Sequence, residues 1–268
     1  MPSMILSGGG KLAYTSTGSG PPLILVHGSP GEGRSWSRVA SRLTGHFRIL
    51  TPDLPGYGGS DPLPIAALGR TAAMGAAVGE LIATCSEPVR LGGHSYGGNV
   101  ALHAAISHAE RIRGLTLFEP VFFRSLYLAR DEDAFESAAR FFSAYVDRVT
   151  TGEPEVISEM IDYWFGPGAF ARMPASAHGF LIGSAARNGA DVRASFAEEL
   201  TVEDVIGFIK PLVIAYGDNS PAVVPAIVRA LAGFVQQARI EVVPGANHGM
   251  LDSHPKEVAD LILAGADV

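Results

Sequence analysis

The chain has 268 residues, 47% of them hydrophobic, which suits one α/β domain with an insertion, or two small domains. A net charge of −7, with no block of Lys or Arg, argues against a duplex nucleic acid or an anionic membrane as partner. The single cysteine excludes an internal disulfide, no apolar run approaches the ~20 residues of a bilayer span, and Met1–Gly10 lacks a secretory pattern, so a cytoplasmic protein is expected.

Met4–Leu6 and Leu12–Thr15, on either side of Gly8-Gly9-Gly10, read as a hairpin. Leu23–Val26 is a short continuous apolar run, a buried strand ending at His27-Gly28. A helix around Trp36–Leu43 and a strand at Phe47–Thr51 follow. Arg70–Cys85 reads as helix, with Cys85 a packing thiol rather than a nucleophile. Then come a strand at Val89–Gly92, a helix at Tyr96–His108 and a strand at Ile112–Phe118.

After Glu119-Pro120 the alternation stops, and Val121 to about Gly207 holds helical patterns only. Phe135, Ala138, Phe142, Tyr145, Val146 and Val149 recur at helical spacing behind a capping cluster at Asp131-Glu132-Asp133. The βα rhythm resumes with Leu212–Tyr216, a helix near Pro225–Phe234, a strand at Arg239–Val243 and a last helix with Ser253 as N-cap and Pro255 just inside. The expected fold is α/β, a mostly parallel central sheet flanked by helices. Residues 1–120 and 209–268 form its core, and 121–208 a helical cap.

Gly93-His94-Ser95-Tyr96-Gly97 fits the pattern G-x-S-x-G, in which small residues permit a sharp strand-to-helix turn that exposes a nucleophilic hydroxyl. The pattern alone is weak in a chain rich in Gly and Ser. Its context is specific: a strand precedes it and an Ala-rich helix follows. An ordinary Gly-rich βα turn is the competing reading.

Four segments occur in one order: His27-Gly28-Ser29-Pro30-Gly31, Asp53-Leu54-Pro55-Gly56-Tyr57-Gly58-Gly59-Ser60, the Ser95 turn, and Asn247-His248-Gly249. In these the chain resembles the α/β-hydrolase-fold superfamily, in the form of a serine hydrolase with a helical cap. The resemblance implies Ser95 as nucleophile and His248 as its base. It also implies an oxyanion hole made by the backbone N–H groups of Ser29 and Tyr96. His27 is expected to be structural, and Asp53–Ser60 a scaffold loop. Many members carry the third group at the fourth position of Gly-x-x-Asp after the penultimate strand. Here that stretch is Gly217-Asp218-Asn219-Ser220, so a serine stands in the acid's place. Glu119, at the end of the strand before the cap, is the favoured acid, because some relatives, including a group of haloalkane dehalogenases, place theirs at that strand end. Asp218 is the alternative.

Aromatic residues of the insertion would shape the pocket, with Phe122, Phe123, Tyr127 and Trp164 as candidates beside Tyr163, Phe165 and Phe180. The expected reaction is hydrolysis of an ester, thioester, lactone, amide or activated C–C bond of a small, mainly apolar substrate through an acyl-enzyme. Dehalogenases and epoxide hydrolases of this fold use an aspartate nucleophile, which Ser95 argues against. A non-catalytic receptor or binding protein, and a cofactor-free perhydrolase or lyase, are the alternatives. No cofactor and no metal is expected; the expected partner is the small-molecule substrate, and a homodimer stays open.

Overall fold

Strands covered on both faces by helices have no solvent side, so their sequences are apolar throughout rather than alternating. The computed structural model, which describes residues 2–63 and 69–265, has such strands at the centre of its sheet. In chain order the first half contains β1 (Ser3–Ile5), β2 (Lys11–Thr17), β3 (Pro22–Val26), α1 (Ser37–Leu43), β4 (Arg48–Pro52), α2 (Arg70–Ala83), β5 (Val89–His94), α3 (Tyr96–Ser107) and β6 (Ile112–Phe118). Six helices follow: α4 (Arg124–Leu128), α5 (Glu132–Thr150), α6 (Ile157–Phe165), α7 (Ala169–Arg172), α8 (Ala175–Phe196) and α9 (Val202–Ile206). The chain closes with β7 (Leu212–Gly217), α10 (Val223–Phe234), β8 (Ala238–Val243), α11 (Met250–Ser253) and α12 (Pro255–Ala264).

The sheet order is β1-β2-β4-β3-β5-β6-β7-β8. The pairings β1–β2 and β2–β4 are antiparallel and the rest parallel, the latter joined by helical crossovers. Strand β3 is buried at every position, as its unbroken apolar run predicts. One face packs against Trp36, Val39, Leu43, Leu251, Val258 and Ile262 from α1, α11, α12 and the turn before α1. The other packs against α2, α3 and α10, and its apolar cluster runs on without a break into Phe142, Tyr145, Ile157 and Met160 of the inserted helices.

The α5 stripe buries Ala138, Phe142, Tyr145, Val146 and Val149, and the Asp131 carboxylate accepts the Ala134 amide at its N-terminus, 3.3 Å away. At the C-terminal helix the sequence expectation needs a correction. His254, not Ser253, is the N-cap residue of α12, with Pro255 at its first position. Ser253 ends α11, and its hydroxyl donates either to the Gly249 carbonyl, 3.1 Å away, or to His254 Nδ1, 2.8 Å away. Among the described residues no helix is long and apolar enough to cross a membrane.

Candidate active site

Strands β5 and β6 run parallel in a register that pairs His94 with Phe118, so Ser95 and Glu119 leave adjacent strands at one level of the sheet edge. The Ser95 amide donates to the Phe118 carbonyl and the Glu119 amide to that of Ala215. Both residues have a positive φ, 54° for Ser95 and 47° for Glu119. Such a backbone costs on the order of 1–3 kcal/mol in a residue with a Cβ. The turn after β5 imposes it on Ser95, because α3 begins at the very next residue. Gly93 and Gly97 make this turn sterically accessible: a Cβ on Gly93 would strike the Gly97 carbonyl, and one on Gly97 the His27 carbonyl.

The loop after β8 brings His248 over these strand ends. Its Nε2 lies 2.9 Å from Ser95 Oγ and its Nδ1 2.7 Å from Glu119 Oε2. A carboxylate accepts, so Nδ1 carries the proton and the Nε2 lone pair faces the Ser95 hydroxyl. Glu119 Oε1 accepts from the Gly217 amide (2.8 Å) and the Ser220 hydroxyl (2.5 Å). Burial opposes ionisation of Glu119, but the hydrogen bond and charge of His248, with those two further donors, hold its carboxyl below the ordinary value. Of the two acids weighed from sequence, Glu119 meets His248. Asp218 is exposed and accepts the Gly245 amide at 2.7 Å, closing the turn that leads to the histidine loop. Ser220, where many relatives have the acid, serves here as a donor to it.

Aromatic rings fix the imidazole. Trp164 stacks on it, centroids 4.4 Å apart, and Phe165 meets it edge-on. His94 lies on another side, 4.8 Å between centroids, and its Nε2–H donates to the His248 carbonyl. Burial, then the neighbouring His248 charge, pushes the His94 pKa down to about 3, so this ring is a neutral prop.

Among the described residues no protein acceptor takes the amide hydrogen of Ser29 or of Tyr96. Tyr96 is the first residue of α3, where helix geometry leaves the amide unpaired. His27 is structural, as expected: it is fully buried, its Nε2 accepts the Leu54 amide, and its Nδ1–H donates to the Gly28 carbonyl. The Asp53 carboxylate gathers the amides of Gly33 and Gly59, shaping the Asp53–Ser60 loop.

Ser29 sits in a directed hydrogen-bond chain. Tyr145 O–H donates to Asn188 Oδ1 (2.7 Å), Asn188 Nδ2–H to Ser29 Oγ (3.1 Å), and Ser29 O–H to the Tyr57 oxygen (2.9 Å). Tyr57 O–H in turn donates to Asp191, whose other oxygen receives Arg70 Nε at 2.5 Å. Asn188 and Asp191 were not singled out from sequence. Their signal was the polar stripe Ser184, Asn188, Asp191, Ser195 along α8, all buried, a spacing that ordinarily marks a solvated face.

A cavity of about 260 Å³ opens beside Ser95 and His248, with Trp164, Phe165, Phe180 and Leu181 in its wall. A second, about 20 Å³, lies against Tyr96, Phe123, Phe142 and Asn188. Two sequence candidates fall outside both. Phe122 is wholly buried in the core cluster, and Tyr127 is on the exterior, 55% exposed beneath the Arg124 guanidinium. Phe122 lies in the segment just before α4 and Tyr127 within α4, so one ring joins the core and the other faces solvent. Tyr163 stacks on Phe141 within the insertion. Cys85 is buried, and burial raises its thiol pKa.

A mostly parallel sheet with a serine at the tight turn after β5, and a histidine on the loop after the last strand, defines a class. The chain belongs to the alpha/beta hydrolase family, whose profile matches residues 23–261. Among curated proteins it is 38% identical over 104 residues to a pimeloyl-[acyl-carrier protein] methyl ester esterase of Vibrio vulnificus, 39% of this chain and 38% of that one. It is 37% identical over 116 residues to a 2-hydroxymuconate semialdehyde hydrolase of a Pseudomonas species, 42% of this chain and 41% of that one. These matches thus span about two fifths of each relative. Among solved structures, a thermophilic esterase from Thermogutta terrifontis superposes with a TM-score of 0.74 at 25% identity, covering 99% of this chain and 96% of that one. The enol-lactonase from Burkholderia xenovorans superposes with a TM-score of 0.78 over the whole of both chains, at an 18% identity that speaks for the fold alone.

Proposed function

We propose that the protein is a hydrolase working through an acyl-enzyme, with Ser95 as nucleophile, His248 as general base and acid, and Glu119 as the carboxylate that orients His248. The observation that carries this is the continuous hydrogen-bond path from Ser95 Oγ through the imidazole to a buried carboxylate. Ser95 Oγ attacks a carbonyl carbon as its proton passes to His248 Nε2. The oxyanion is received by the amides of Ser29 and Tyr96, and collapse returns the proton to the leaving oxygen. Water, activated by the same nitrogen, then releases the acyl group. Residues 121–208 act as the cap that encloses the substrate; the relatives named as esterases favour an ester, and the apolar wall of the cavity beside Ser95 favours a small, mainly apolar one.

A non-catalytic role would be favoured if the serine at position 220 left His248 without a carboxylate partner, and the bond from Glu119 to His248 speaks against it. A fluorophosphonate should add covalently to Ser95, read by intact mass and peptide mapping, with Ser95→Ala unlabelled. An adduct mapped to another serine, or labelling that persists in Ser95→Ala, would remove Ser95 from the mechanism.

A further inference from the structure

The two cavities meet at Ser95 and differ in what surrounds them. Ser29, Ser95, Met160 and Trp164 border both. Only the larger is walled by His248, together with Gly249 and Leu251. Only the smaller reaches Tyr96 and Asn188. The chemistry assigns a part of the substrate to each. In acyl transfer the departing oxygen must take its proton from the histidine that accepted it from the serine, so the leaving group lies on the histidine's side. The other substituent of the carbonyl lies on the opposite side, past the oxyanion donors.

Resting on the serine-hydrolase reading above, we propose that the preferred substrate is an ester of a very short acyl group with a bulky apolar alcohol. The alcohol occupies the cavity of about 260 Å³, just below the roughly 300–1,000 Å³ typical of small-molecule sites and lined by Ile161, Phe165, Met173, Phe180 and Leu181. The acyl group enters the cavity of about 20 Å³, little more than the ~10–15 Å³ that admits one water. A volume that small favours a methyl or at most an ethyl group over a longer chain. Its walls are held from behind. Phe123 stacks on Phe196 at 4.1 Å and Phe142 on Trp164 at 5.5 Å. Asn188 is tied to Tyr145 on one side and Ser29 on the other, so it cannot swing aside.

In the reaction the bond from Ser95 Oγ to the acyl carbon forms, the bond from that carbon to the alcohol oxygen breaks, and the alcohol departs with the proton held by His248. Water then takes the acyl group as acetate or propionate, and Ser95 regains its proton. A narrow acyl site and a roomy alcohol site make selectivity steep on one side of the ester and permissive on the other.

Two ester series test this on the full chain, with Ser95→Ala as background. Across 2-naphthyl acetate, butyrate, hexanoate and octanoate, kcat/KM should fall by at least about thirtyfold from acetate to hexanoate. Across methyl, butyl and 2-phenylethyl acetates it should rise by about tenfold or more. Val192→Ala and Phe142→Leu, which thin the wall of the small cavity, should each raise the hexanoate-to-acetate ratio; Val192→Ala serves if the Phe142 variant does not fold. An acyl profile that is flat or rises toward octanoate overturns the assignment. If no ester in either series is turned over while fluorophosphonate still labels Ser95, the ester class is wrong and the nucleophile stands. If labelling also fails, the underlying reading falls with it.

Discussion

The Glu119 side chain is shut off from solvent and held by three donors: His248, the Gly217 amide and Ser220. An unpaired charge in that position would be expensive, so in the proposed mechanism the carboxylate and the imidazolium formed during attack stabilise each other. Glu119→Gln keeps the shape and removes the charge. It is expected to lower kcat by roughly a hundred- to ten-thousandfold while circular dichroism stays native. Asp218→Asn, which only loosens the turn to Gly245, is expected to stay within about tenfold on the same substrate. Equal losses in the two variants would contradict this division of labour. His94 yields a second prediction, in stability. The folded protein leaves this ring neutral down to about pH 3, whereas the unfolded chain protonates it near 6.5. Between those values the unfolded state binds more protons, so stability falls as pH falls, by up to about 1.4 kcal/mol per unit. His27, its pKa lowered chiefly by burial, acts in the same direction. Urea midpoints measured from pH 7 to pH 4 should decline less steeply in His94→Gln than in the parent.

Helix α8 connects the insertion to the sheet edge that carries Ser95. Through Asn188 and Asp191 it grips Ser29 and Tyr57, while Glu198, just past its end, meets His103 of α3 at 2.5 Å. The hydroxyl of Ser29 is committed to Tyr57, which leaves its amide as the group that can serve an oxyanion. Tyr57→Phe breaks the chain between Ser29 and Asp191 without touching Ser95, His248 or Glu119. A net hydrogen bond is worth about 0.5–1.5 kcal/mol, so kcat should drop by roughly two- to thirteenfold with KM little changed. A loss confined to KM would show that the chain shapes binding and not the oxyanion site. Helix α6 acts through Trp164, which covers His248 and borders both cavities. Trp164→Ala is expected to alter relative rates across acyl lengths more than it alters fluorophosphonate labelling, and an unchanged length profile would make Trp164 a packing residue only.

Across the whole molecule, one apolar cluster passes from β5 and α3 through Phe123 and Phe142 into α5 and α6. An insertion that shares its core with the sheet has no independent unit to lose. Unfolding is therefore expected as a single transition, with tryptophan fluorescence (Trp36 on the sheet side, Trp164 in the insertion) and far-UV dichroism superimposing. Phe142→Ala should shift that whole transition by about 3–5 kcal/mol. Two separated transitions would show that the cap melts by itself.

What the chain determined locally was legible in its sequence: the order of strands and helices, the helical interruption from 121 to 207, the serine turn and the histidine after β8. Apolar runs and helical spacing depend on neighbours a few residues away, and a turn such as Gly93–Gly97 declares its own steric needs. The carboxylate partner was only half legible. Both Glu119 and Asp218 follow core strands, and no local rule says which of two loops points inward. The register of β5 on β6, which sets Ser95 beside Glu119, and the turn at Gly217–Ser220, which sends Asp218 outward, made that choice. The same holds for Phe122 and Tyr127, alike in composition and opposite in placement, and for Asn188 and Asp191, whose polar stripe faces the core because Ser29, Tyr57 and Arg70 await it there. Side chains far apart in sequence share a site only where the packed sheet edge brings their loops together, and that proximity is a property of the tertiary fold alone.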